Sequence, residues 1–275
     1  AAAGASAFTD DGRTPADPDV MRACMVRAAA LGLPVIDHAQ DPGEEGGVMH
    51  EGPAARRLGL PGIPAEAETR IVQRDIALCR ETGCRVHIQH VTTAAAVDAI
   101  AAARREGLPV SGEATPHHLW FTEDDVRPDR AEYKMNPPLR GAADREGLLC
   151  GAAEGALSVL ATDHAPHTAA AKARGFRDAP FGVIGLETAL AATCTALVAS
   201  GRMSPMAWVR RWTEGPASVL GLEAPRLEPG AARPAVLFDP RAAWTVDPDA
   251  SLSRSRNTPF AGCTLQGRVL GLVLP

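Results

Sequence analysis

The chain contains almost no lysine. Lys134 and Lys172 are the only two, and every other basic residue is arginine, a bias that reads as genomic composition and not as function. No basic run is interleaved with aromatic residues, and the formal net charge is -5. Together these argue against a nucleic-acid footprint. No apolar stretch approaches bilayer-spanning length without a polar interruption, so no membrane segment is expected. The six cysteines are scattered, with no C-x-x-C pair, which argues against a disulfide scaffold and fits a reducing cytoplasm. The first residues, Ala1–Phe8, contain no initiator Met and no charged n-region. The N-terminus therefore does not read as a complete signal peptide, and the expectation is that the chain begins inside a longer sequence. What is present is ample for one large core and a small appendage: 275 residues, 45% of them hydrophobic.

Strand-like and helix-like runs alternate. Ser6–Thr9 is a short strand candidate ending in Asp10-Asp11-Gly12. Asp17-Pro18 supplies an N-cap and a first-turn proline for a helix that stops at Gly32. Leu33–Ile36 is the next strand and leads into Asp37-His38-Ala39-Gln40-Asp41. Residues 42–64, rich in Gly and Pro, read as one long functional loop. A helix over 65–82 ends at Gly83, a strand covers 85–90, and Thr92 or Thr93 caps a helix ending near Gly107. The strand 109–115 leads into Pro116-His117-His118-Leu119. Paired prolines exclude helix from 133–140. Helix is expected over 144–153, then a strand ending on Asp163, then helices over 185–200 and 204–214. Such alternation predicts an α/β fold with a parallel sheet. Beyond Pro225 the texture changes, and 235–238, 244–246 and 267–274 read as strands of a small β appendage.

Residues that bind metals gather at the strand ends: Asp11, His38, His90 and Asp163, with Glu113 and His117-His118 on the remaining strand. Each has an ordinary reading when taken alone. Asp11 can be a turn residue before Gly12, His38 a core histidine, and Asp163 a turn or cap carboxylate. Together, carboxylates and imidazoles at the C-terminal tips of parallel strands make a donor set for zinc or a similar ion. An aspartate there can also carry a proton. Alternation along 85–90 puts His87 and His90 on opposite faces, so His90 is expected as the ligand and His87 between strand and helix. His50, in the long loop, is expected in solvent.

With those residues stand the motifs Ala7-Phe-Thr-Asp-Asp-Gly12, His38-Ala-Gln-Asp41, Gly59-Leu-Pro-Gly-Ile-Pro64, His87-Ile-Gln-His-Val-Thr92, Thr115-Pro-His-His-Leu119, Tyr133–Arg140, Ala161-Thr-Asp-His-Ala-Pro-His167, Ala179-Pro-Phe-Gly182 and Asn257-Thr-Pro-Phe260. Along nearly its whole length the chain resembles dihydroorotase of the bacterial class with a bridging aspartate, in the amidohydrolase superfamily. The resemblance implies a (β/α)8 TIM barrel of the amidohydrolase type, incomplete here by its first three βα units, on the order of 90 residues. It implies a catalytic domain over 1–225 and, over 226–275, the C-terminal β-strand segment of a composite small domain. The implied activity is that of a cyclic amidohydrolase interconverting dihydroorotate and N-carbamoyl-L-aspartate in pyrimidine biosynthesis. Residue by residue, it implies Asp11 as a carboxylate shared by two zinc ions and His38 and His90 as ligands of one of them. Asp163 is implied as ligand of the other and as the catalytic proton carrier. Asn136, His167, Phe181 and Gly182 are implied as substrate contacts.

The family's H-x-H pair, the Arg just after it and an Asn after the second strand are absent from this chain. Two zinc ions are expected for a complete site and one for this chain, with little turnover from the chain alone. The resemblance leaves assembly open between a homodimer and association with aspartate transcarbamoylase. Two rival readings remain. Hydantoinases and allantoinases usually carry the bridging carboxylate on a lysine of the fourth strand, where this chain has Asp10-Asp11. A non-catalytic dihydroorotase-like subunit that scaffolds aspartate transcarbamoylase would be expected to have lost the ligands that this chain retains.

Overall fold

Five short parallel strands organise the chain. The computed structural model describes residues 3–10, 12–44, 46–230 and 233–274. In chain order the elements are β1 (Phe8–Thr9), α1 (Pro18–Ala30), β2 (Val35–Asp37), β3 (Met49–His50), α2 (Pro53–Leu58), β4 (Gly62–Ile63), α3 (Glu66–Thr82), β5 (Val86–Ile88), α4 (Ala94–Arg105), β6 (Val110–Ala114), α5 (Pro116–Trp120), α6 (Ala142–Glu154), β7 (Val159–Leu160), α7 (Ala169–Lys172), α8 (Ala189–Thr193), α9 (Pro205–Trp212), α10 (Glu214–Leu220), β8 (Ala235–Thr245) and β9 (Thr264–Val273). Strands β1, β2, β5, β6 and β7 form one sheet in that order, every pair parallel. Strands β8 and β9 form a separate antiparallel hairpin. The fold is therefore α/β, a parallel sheet followed by a C-terminal hairpin. Among the described residues no helix is long and apolar enough to cross a membrane.

Local chemistry sets the helix ends. The Asp17 side chain accepts the Asp19 N–H at 2.8 Å and Pro18 opens α1. Thr93 caps α4 by accepting the Ala96 N–H at 3.2 Å. Gly83 closes α3 in a left-handed conformation (φ 68°) that a side chain would strain. The helices then lay one apolar face on the sheet. Met25, Val72, Cys79, Ile100, Leu148 and Trp208 pack with Val35, Val86, Ile88, Val110 and Leu160 in one buried cluster. Burying each large side chain contributes roughly 1.5–3 kcal/mol, so this layer dominates stability. A second cluster, with Met49, Phe121, Met135, Phe260 and Leu265, joins the 42–64 region to the C-terminal segment.

Several expectations need correction. Residues 42–64 are not one loop: β3 and β4 pair in parallel and α2 lies between them. Pro53 opens α2 and left-handed Gly59 closes it, while Gly62 has no room for a side chain against the Glu51 backbone. His50 is half-buried and not in solvent, because β3 brings its Nδ1 to 3.1 Å from Arg140 Nη1. The helix expected over 185–200 is α8 followed by a wider π turn over Cys194–Ala199. Thr193 and Thr195 donate their hydroxyls back to the carbonyls of Ala189 and Ala191, each at 2.8 Å, which loosens a helix. The chain breaks again at Thr213, so α9 and α10 are separate. The segments 235–238 and 244–246 are not two strands; the first and most of the second lie in the single strand β8, which bulges around Pro240. Finally, β7 ends at Leu160, and Asp163 lies three residues beyond it, outside the strand and with a left-handed backbone.

Candidate metal centre and its cleft

Strands β2, β5, β6 and β7 end on one edge of the sheet. The residues at and just past those ends line a cleft of about 520 Å³, among them His38, His90, Glu113, Asn136 and Asp163. A larger hollow of about 800 Å³ beside the hairpin shares only His164 with it. Glu187, a carboxylate in that hollow, is committed to Ser251, Leu252 and Ser253.

His38 follows β2 directly, and its N–H donates to Asp10 Oδ1 at 3.1 Å. His90 has φ 29°, a backbone region uncommon for any residue but glycine. Two carboxylates hold it there. Glu113 Oε1 accepts the His90 N–H at 3.2 Å. Glu68 accepts the backbone N–H and the hydroxyl of both Thr92 and Thr93. The result is that His90 Nε2 lies 3.0 Å from His38 Nδ1. Two imidazole nitrogens bound to one tetrahedral zinc at ordinary bond lengths stand roughly 3.3 Å apart, so the pair is close to that spacing. His90 Nδ1 is buried without a partner. Burial, then the neighbouring His38, hold the His90 pKa well below its usual value; the ring is neutral, the form that binds metals. The spacing of the pair and the neutral form of His90 fit zinc.

Asn136 Nδ2 approaches the other nitrogen of His38, Nε2, at 3.1 Å, and Asn136 Oδ1 is buried with no partner. Asp163 also has a left-handed backbone (φ 46°). Its Oδ2 is 3.8 Å from His117 Nε2, beyond hydrogen-bond reach. Burial, then His90, bring the His117 pKa down to about 3, so this ring too is neutral. Its neighbour His118 is structural: Nδ1 meets Thr115 Oγ1 at 2.7 Å and Nε2 donates to the Pro137 carbonyl at 2.9 Å. Behind His38 lies a buried acidic group. Burial, then Asp37, raise Asp10 to about 7; burial, then Asp75, raise Asp37 to about 7. Arg74 Nη2 stands 2.8 Å from Asp75 and 3.6 Å from Asp37.

His87 does not lie between strand and helix. Its Nδ1 meets Ser111 Oγ at 2.8 Å and its Nε2 meets Glu113 Oε2 at 3.0 Å, while Val86 and Ile88 take the helix side. The alternation argument holds within β5 but not for His90, whose left-handed backbone breaks the period.

The remaining expected contacts form a bonded group. His167 Nε2 donates to the Phe181 carbonyl at 2.7 Å. Asn257 accepts the His167 N–H at 3.2 Å and donates to the carbonyls of Ala165 and Gly182, both at 3.0 Å. Gly182 has φ 124°, and a Cβ there would lie 2.6 Å from the Ala165 Cβ, so no other residue fits. Asn257→Ala leaves three backbone groups without partners and is expected to cost about 2–4 kcal/mol. Denaturant unfolding measures it, and a loss below about 1 kcal/mol would remove Asn257 from this role.

Of the residues expected at the site, His38, His90, Asn136 and Asp163 therefore line one cleft, and His167, Phe181 and Gly182 join it through the Ala165 N–H, which donates to Val183 O at 2.9 Å. Asp11 lies outside the described residues. Among the described residues no three His, Cys, Asp or Glu side chains converge closely enough to hold a metal as they stand; the His38–His90 pair is the nucleus.

A family model described as dihydro-orotase-like matches residues 1–96. The chain is similar to the dihydroorotase of Anaeromyxobacter dehalogenans (strain 2CP-C), 48% identical over 270 residues, 97% of this chain and 62% of that protein. It is 46% identical over 266 residues to the dihydroorotase of Pelotomaculum thermopropionicum, covering 96% of this chain and 62% of the relative. The chain thus spans about three fifths of the length of these curated relatives. Among solved structures, L-hydantoinase (dihydropyrimidinase) from Arthrobacter aurescens matches with a TM-score of 0.86 and 26% identity, over 99% of this chain and 64% of that one. Dihydropyrimidinase from Brevibacillus agri NCHU1002 matches at 0.81 and 26%, over 94% and 59%.

Proposed function

We propose, for a chain that belongs to the dihydroorotase family of the amidohydrolase superfamily, that its cleft serves the reversible hydrolysis of the cyclic amide of dihydroorotate to N-carbamoyl-L-aspartate. The observation that carries this reading is the His38–His90 pair, 3.0 Å apart at the strand ends, in one cleft with Asp163 and Asn136. His38 and His90, with Asp11 and Asp163, are the residues that would hold zinc, which when bound polarises the amide carbonyl and acidifies water. Asp163, on the cleft wall, takes a proton from the attacking water and delivers it to the leaving ring nitrogen. The open Oδ1 of Asn136 accepts from a substrate N–H. The Phe181–Gly182 backbone, braced by His167 and Asn257, forms the edge that orients the ring.

We read the sheet as part of a (β/α)8 barrel of the amidohydrolase type, with 1–225 as the catalytic domain and 226–275 as the C-terminal β segment. Supporting this are the sequential parallel strands, the further parallel bridge His164↔Val183 past β7, and the likeness to hydantoinase. The C-terminal segment also reaches back, since Val246, Phe260 and Leu265 pack with Phe121 and Met135.

Hydantoinase activity is disfavoured on two grounds. Identity to dihydroorotases reaches 48%, against 26% to the hydantoinase structures. Both lysines are also engaged elsewhere, Lys134 with the Arg177 carbonyl and Lys172 with three others, so neither stands in the cleft to carry a carboxylate. Calorimetry on the zinc-loaded chain tests the reading. N-carbamoyl-L-aspartate should bind at least about 10-fold tighter than N-carbamoylglycine, the ring-opened form of hydantoin, because it offers a second carboxylate. Equal or reversed preference rejects the assignment.

A further inference from the structure

The two lysines in this arginine-rich chain are both buried, Lys134 with 3% and Lys172 with 5% of its surface exposed. Buried lysines ordinarily have a countercharge. Here the partners are carbonyls. Lys172 Nζ donates to Ala131 O at 2.9 Å, Lys134 O at 3.2 Å and Pro180 O at 2.9 Å, so all three of its N–H groups are used. Lys134 Nζ donates to Arg177 O at 2.8 Å and lies 4.5 Å from the centre of the Phe181 ring. The chain's preference for arginine stops at these two positions, and the geometry supplies a reason. An ammonium offers three donors from one atom to a converging set of carbonyls, whereas a guanidinium spreads five over a planar fork.

The three carbonyls on Lys172 come from two segments. Ala131 and Lys134 lead into Asn136, and Pro180 immediately precedes Phe181-Gly182. The backbone adds one link, the Gly182 N–H to Lys134 O at 2.9 Å. We propose that Lys172 is a positioning residue: by holding the carbonyls of Ala131, Lys134 and Pro180 together, it sets the spacing between Asn136 and the Phe181–Gly182 edge of the cleft. This rests on the proposed function only in that those residues contact substrate. Burial pulls the Lys172 pKa down to about 8, still high enough for the ammonium to keep three donors at neutral pH.

The test uses the zinc-loaded full chain and Lys172→Met, which keeps the stem and removes every donor. Amide exchange at Gly182 should accelerate at least about 10-fold while Val86–Ile88 stay unchanged. Unchanged exchange at Gly182 overturns the staple, whatever the ligand. Affinity for N-carbamoyl-L-aspartate should fall at least about 10-fold with zinc affinity unaltered, a split that a general loss of stability does not produce. A looser Gly182 with unchanged ligand affinity overturns the positioning role. Failure of the unmutated chain to bind this acid counts against the proposed function instead, and the exchange result still decides the staple. Should Lys172→Met not fold, the unmutated chain labelled with 15N-lysine gives only two side-chain signals. N-carbamoyl-L-aspartate must shift that of Lys172, and binding that leaves it unmoved overturns the proposal.

Discussion

His90→Ala is expected to weaken zinc binding by at least about 100-fold. A fully liganded protein zinc site is worth on the order of 10–16 kcal/mol, so one of about four ligands carries roughly 3 kcal/mol, a factor of about 100. His90 and His38 are the imidazoles whose nitrogens meet in the cleft. His87→Ala is expected to have a smaller effect, about 10-fold, acting through Glu113. That carboxylate holds His87 Nε2 with one oxygen and the His90 N–H with the other, so freeing it loosens the His90 backbone. Glu113→Gln should fall in the same range. Competition against a chelator of known affinity measures all three. Zinc binding in His90→Ala as tight as in the unmutated chain would falsify the pairing.

The strand–helix alternation was legible because its signals are local. Asp17-Pro18, Thr93 and Gly83 act within one turn of their own helices. The 42–64 region was not, because β3 and β4 are two residues each and exist through pairing with one another; nothing in two residues announces a strand. The cleft was legible as a set of residue types at strand ends, and His38, His90, Asn136 and Asp163 do line it. Its geometry was not. His90 and Asp163 adopt left-handed backbones that the alternation of side chains does not foresee. Lys172 had a visible signal, rarity in an arginine-rich chain, but composition alone says nothing of burial. Glu68 had none. A glutamate in the first turn of a helix is favourable against the helix dipole and reads as ordinary, and only the fold brings Thr92 and Thr93 onto it.

Glu68→Ala is accordingly expected to be among the most destabilising single changes in the chain, at about 3–5 kcal/mol. Glu68 is 2% exposed. It accepts the N–H groups of Thr92 and Thr93 at 3.0 and 2.9 Å, the Thr93 hydroxyl at 2.9 Å and the Thr92 hydroxyl. Its removal leaves two buried N–H groups without their acceptor. It also strips Arg140 of its leading countercharge. Burial already holds the Arg140 pKa below its usual value, and Glu68 is the first of the carboxylates opposing that shift. Arg140 Nε in turn holds Thr92 Oγ1 at 3.1 Å, and its Nη1 holds the Ile63 carbonyl at 2.7 Å. The loss therefore spreads to the β3–β4 pair. Glu68→Gln keeps one oxygen and the shape of the side chain but turns a donor toward a donor, and should cost about half as much. Both variants should also bind zinc at least about 10-fold more weakly, because His90 lies two residues before the turn that Glu68 holds. Urea unfolding gives the stability change, and chelator competition on the folded fraction gives the zinc affinity. A Glu68→Ala protein that loses stability while binding zinc normally would show that the His90 backbone is set by Glu113 alone. One that loses neither would show that the Thr92–Thr93 turn holds without Glu68.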